Sequence, residues 1–164
     1  MEIRRIARYC GSALIVLILQ IMAVKFLAIE GITPDILLIW LSYLTLTEGQ
    51  IVGTIGGFSL GVLFDLAVGG FLGLTALSKT IACFFGGYFY NESKTLMTLG
   101  SFQFVAFVFV LSFVNNAIYF AIFVAGIQMH YPATVLWYGL TTAIYTAVVS
   151  LLPMFLFSRK VKFG

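Results

Sequence analysis

Six apolar runs, separated by short polar breaks, constrain this chain more than any other feature; they lie at about 9–29, 33–47, 51–68, 71–90, 101–125 and 133–157. A helix needs about 20 apolar residues to cross the hydrocarbon core of a bilayer. Within lipid each backbone polar group must be satisfied inside the protein, which leaves helices or closed barrels. Runs of this length point to helices. Composition agrees, with 62% hydrophobic and 9% charged residues, against roughly 45–50% and about 25% in soluble domains. The expectation is an all-α polytopic membrane protein, about six transmembrane helices in one bundle, with residues 1–164 forming a single integral membrane domain. No internal repeat, low-complexity segment or linker divides it.

Arg4, Arg5 and Arg8 precede the first run, an arrangement shared with signal peptides. The run is long enough to span, no small-residue cleavage site follows it and further runs come after, so an uncleaved anchor is expected. Lys25 can snorkel from its far end. The second run opens with Thr33, Pro34 and Asp35. Here Thr33 is the expected N-cap, Pro34 suits the first helical position and Asp35 faces the positive end of the helix dipole. Glu48, Gly49 and Gln50 break the chain before the third run, and Gly69 and Gly70 turn it before the fourth. Asn91, Glu92, Ser93 and Lys94 form a polar loop, Pro132 stops any continuing helix, and Pro153 is expected to kink the last one. Six spans place Arg4, Arg5, Arg8, Lys94, Arg159, Lys160 and Lys162 on one side, and the positive-inside rule makes that side, with both termini, cytoplasmic.

Gly53, Gly57 and Gly61 fall four residues apart, and Asp65 continues their stripe on the third helix. Such a small-residue face lets another helix backbone come close. Packing within the chain is the first reading, and the spacing also admits a homodimer seam. Asp65 lies about fourteen residues, roughly 21 Å, from the start of its helix, near the outer edge, where water is within reach and a charge is cheap. It can cap the turn at Gly69 and Gly70, cap the next helix or pair with Lys79. Lys79 sits deeper and must pair, snorkel or face a hydrated cavity. Asn115 and Asn116 suit interhelical hydrogen bonds, with ligand contact as the lesser reading.

Little suggests chemistry. Cys10 and Cys83 make no pattern with the single histidine, His130, so neither a disulfide framework nor a zinc site is expected and both cysteines read as packing residues. The chain has no phosphate-binding glycine loop, no HExxH and no paired acids suited to acid–base work. We expect neither an enzyme nor a bound cofactor or metal. The basic ends can attract anionic membrane lipid, and a net charge of +3 alone does not indicate nucleic-acid binding.

The segments TPDILLIWLSYL and GGFSLGVLFDLAVGGFLGLTAL resemble the MreD family of rod-shape-determining membrane proteins. Pro34 and Asp35, Gly57 and Gly61 leading to Asp65, and Gly69, Gly70, Gly73 and Leu74 carry the likeness. Phe71 stands where family members often have proline. The resemblance implies a non-catalytic subunit in the bacterial inner membrane that maintains cell shape. It would work with MreC, the MreB filament, the RodA glycosyltransferase and a class B penicillin-binding protein. On that reading the stripe from Gly53 to Gly61 and the turn from Asp65 to Gly73 are partner contacts. The family is also similar in architecture to the substrate-binding subunits of energy-coupling-factor vitamin transporters. In that alternative Asp65, Lys79, Asn115 and Asn116 enclose a small polar ligand. A structural membrane protein with another partner fits the bare composition equally well.

Overall fold

The computed structural model describes residues 2–26, 32–69, 71–91, 95–127 and 132–162, and these form an all-helical protein without a strand element. In chain order the helices are α1 (Glu2–Phe26), α2 (Ile36–Glu48), α3 (Gln50–Val68), α4 (Leu74–Gly86), α5 (Thr95–Leu99), α6 (Phe102–Ile127), α7 (Pro132–Val149) and α8 (Leu151–Lys162). Three stretches are long and apolar enough to cross a membrane: Gln50–Val68, Phe102–Phe123 and Trp137–Leu156, the last running through the junction of α7 and α8. Ala7–Met22 and Ile36–Glu48 are shorter apolar helices. Lys94 and His130 lie outside the described residues, as does Gly70.

The helix α2 is the central post. It is apolar almost all round, the pattern of a helix surrounded by protein, and Leu37, Leu38 and Leu41 are fully buried. On one side Leu37, Leu41 and Leu44 pack with Ala13 and Leu17 of α1, Leu60 of α3 and Cys83 of α4. On another, Ile39 and Leu46 join Leu99, Phe104, Val108, Leu111 and Met154 from α5, α6 and α8. Large apolar side chains also cover the outside. Ile51, Ile55, Phe58 and Leu66 are exposed along α3, and Leu14, Ile15 and Ile18 along α1. That surface suits lipid, because burial in water would otherwise favour hiding it.

Three local expectations need correction. The second helix does not begin with Thr33 as cap and Pro34 as its first residue. Asp35 is the cap, its Oδ1 accepting from the Leu38 N–H at 2.9 Å, and the helix starts at Ile36. The fourth helix is shorter than the run at 71–90. Gly73 adopts a left-handed φ of +91°, delaying its start to Leu74, and after Gly86 the chain tightens into a short 3-10 turn at Gly87–Phe89. Cys83 is fully buried, whereas Cys10 is exposed rather than packed. The last run is interrupted at Ser150. Pro153 has no N–H to give the Val149 carbonyl, which explains a break there.

Candidate functional site

The glycine stripe on α3 meets its neighbours inside the same chain. A Cβ on Gly53 would collide with the Thr45 side chain of α2, and one on Gly61 with the Ala76 backbone of α4. At Gly57 it would stand 3.0 Å from the Lys79 carbonyl oxygen. The close approach predicted by the four-residue spacing is therefore made against α2 and α4, and those glycines hold α3 against the core.

One turn beyond Gly61, the same stripe delivers Asp65 to the start of α4. Its Oδ2 accepts from the backbone N–H groups of Gly73 at 2.8 Å, Thr75 at 3.2 Å and Ala76 at 3.4 Å. These are the donors that a helix N-terminus leaves without intrahelical partners. Gly69, with φ +72°, closes α3 by donating to the Asp65 carbonyl. Left-handed glycines at 69 and 73 thus fold the chain back so that one carboxylate can cap the next helix. Asp65 is only 4% exposed, so its carboxyl group is held by these N–H groups and not by the open water that its sequence position suggests.

The base that faces Asp65 in the sequence turns elsewhere. Lys79 Nζ donates to Asp35 Oδ2, joining α4 to the start of α2. Two further side chains converge there, Gln20 and Thr146. The Gln20 carbonyl oxygen accepts from the Ile36 and Leu37 N–H groups at 2.7 and 3.2 Å, while its Nε2 donates to the Pro34 carbonyl at 3.2 Å. Thr146 Oγ1 accepts from the Asp35 N–H at 3.0 Å. Together α1 and α7 accept from the N–H groups at the start of α2, and α4 pairs with the carboxylate of its cap. Gln20 is the residue that sequence reasoning missed. It is the one polar side chain between Ser12 and Lys25 in α1, and an isolated amide in an apolar run is a recognisable signal of an interior contact.

Beside this cluster lies a cavity of about 300 Å³ whose lining includes Thr33, Asp35, Lys79, Asn115, Asn116 and Thr142. Asn116 Nδ2 reaches the Ser112 hydroxyl at 3.4 Å and crosses to the Gly139 carbonyl of α7 at 3.3 Å. Asn115 is different: its Oδ1 is buried without a hydrogen-bond partner.

At the opposite end of α2, Glu48 accepts from Arg5 Nε at 3.1 Å, from a second guanidinium nitrogen of Arg5 and from the Tyr9 hydroxyl at 2.6 Å. The hydrogen bond to Glu48 is the main reason the Arg5 pKa is raised. Gln50 Nε2 donates to the Phe84 carbonyl at 2.9 Å, and its side chain fills the space over Gly87. No group of three or more His, Cys, Asp or Glu side chains suited to a metal occurs among the described residues.

The family model for the rod shape-determining protein MreD matches residues 7–161. The chain belongs to the MreD family. Neither a curated protein nor a solved structure matches it.

Proposed function

Membership of the MreD family is the premise from which we propose that this chain is a non-catalytic subunit of the bacterial elongation machinery. The family places it among cell-shape-related membrane proteins. Our reading goes further: the chain is a multi-pass protein of the inner membrane with both termini cytoplasmic. It links MreC, the MreB filament, RodA and a class B penicillin-binding protein, which build the lateral wall.

The family match across residues 7–161 carries this reading. The geometry supports it, because Asp35, Asp65, Lys79 and Glu48 all serve helix caps or ion pairs within the chain. Side chains so engaged serve a rigid platform better than a reaction. With the stripe at Gly53, Gly57 and Gly61 filled from within, the proposed contact for MreC moves to the apolar side chains about the turn between α3 and α4. Leu66, Val68, Phe71 and Leu72 are each more than half exposed there. Arg4, Arg5 and Arg8 would face anionic lipid on the cytoplasmic side.

Cross-linking in native membranes, followed by purification and mass spectrometry, tests the reading. It expects MreC together with RodA. Recovery of a transporter ATPase pair without them would overturn it and favour the six-helix vitamin-transport subunit, a reading that the polar cavity beside Lys79 and Asn115 supports.

A further inference from the structure

A buried acceptor without a partner beside a buried ion pair is an uncommon thing to leave in a membrane interior, since lipid offers neither hydrogen bonds nor charge screening. Asn115 is 5% exposed, and the lone pairs of its Oδ1 call for a donor. Lys79 is 3% exposed and carries three N–H donors. Asp35 takes one of them. Across the same cavity, Thr142 donates its hydroxyl proton to the Tyr138 carbonyl at 2.8 Å, which leaves its oxygen lone pairs as acceptors. The lining therefore asks for a donor at Asn115 and Thr142 and can supply donors from Lys79.

Charge narrows the occupant. Asp35 and Lys79 together are neutral, so a net-charged guest would bring an uncompensated charge into a low-dielectric site. The guest must then be neutral overall while offering both a strong donor and a strong acceptor. Its size is limited by a volume of about 300 Å³, at the small end of ligand sites.

We propose that this cavity binds a zwitterionic group, an N–H-bearing ammonium held by Asn115 and Thr142 beside an anionic oxygen held by Lys79. Phosphoethanolamine has this chemistry, either as the headgroup of a membrane lipid or as part of a free metabolite. The proposal does not depend on which protein partners the chain has.

Native mass spectrometry of the intact protein tests it, using phosphatidylethanolamine, phosphatidylcholine and phosphatidylglycerol with identical acyl chains. Phosphatidylethanolamine should be retained about tenfold more strongly than phosphatidylcholine, whose quaternary ammonium has the same charge but no N–H; one lost buried hydrogen bond is of that order. Phosphatidylglycerol, with a net charge, should also be weaker. Asn115→Leu should fold, because it removes an unsatisfied acceptor, and should abolish the preference. If that variant does not accumulate, the three-lipid comparison on the unaltered chain decides alone. Soluble glycerophosphoethanolamine separates the sources: binding equal to the lipid's identifies a free zwitterion, and binding of the lipid alone identifies the headgroup. Equal retention of all three lipids, with no binding of the soluble compound, would overturn the proposal and leave a cavity holding only water. So would a preference for phosphatidylethanolamine that survives Asn115→Leu.

Discussion

Both ends of α2 are tied by an ion pair, but the two pairs sit in different electrostatic surroundings. Where the helix begins, Lys79 and Asp35 are 3% and 15% exposed. Where it ends, Arg5 is 53% exposed and Glu48 16%. Attraction between charges grows as the dielectric falls, and so does the cost of stranding one of them. The first pair is therefore one that the fold cannot lose cheaply. The second is a screened latch whose contribution depends on salt.

Breaking the first pair should have the largest effect. Lys79→Met strands the Asp35 carboxylate and should cost about 3–5 kcal/mol, read as a large loss of thermal stability in detergent. Adding Asp35→Asn keeps an oxygen for the Leu38 N–H and removes the stranded charge, so the double variant should recover much of that loss. A double variant as unstable as Lys79→Met would show that packing, not charge, dominates this end. Gly61→Val comes next. Its new side chain meets the Ala76 backbone, which cannot rotate away, and overpacking of this kind costs about 1–3 kcal/mol. Asp65→Ala removes the acceptor for three N–H groups at the start of α4 and should cost about 0.5–2 kcal/mol, the range for a lost cap. Unfolding curves rank these variants directly. Arg5→Ala should change stability least, and its effect should shrink further as salt is raised in the same melting experiment.

The parts of this structure that depend on local pattern are legible in the sequence. The apolar run at 51–68 becomes α3 almost residue for residue, and Gly53, Gly57 and Gly61, four residues apart, lie where α2 and α4 come close. Capping of the next helix by Asp65 is among the roles its position allows. Contacts set by tertiary structure are less accessible. A local rule puts the cap of α2 at Thr33, because it cannot see Gln20 arriving from α1 or Thr146 from α7. It offers Asp65 as a partner for Lys79 because the two are close in sequence, whereas the backbone donors of α4 occupy Asp65 and leave Lys79 to Asp35. The fourth run looks like a full span because apolar content does not reveal the left-handed turn at Gly73 that shortens it.

The central claim is that Asp35, Asp65, Lys79 and the glycines of α3 are used within the chain, among α2, α3 and α4, and that the proposed contact for MreC is the exposed apolar turn. Photo-crosslinking in native membranes from position 71, compared with position 57, tests this most directly. Adducts with MreC from 71 and none from 57 are the predicted result. MreC captured from 57 but not from 71 would show that the glycine face opens to the partner, contradicting the account.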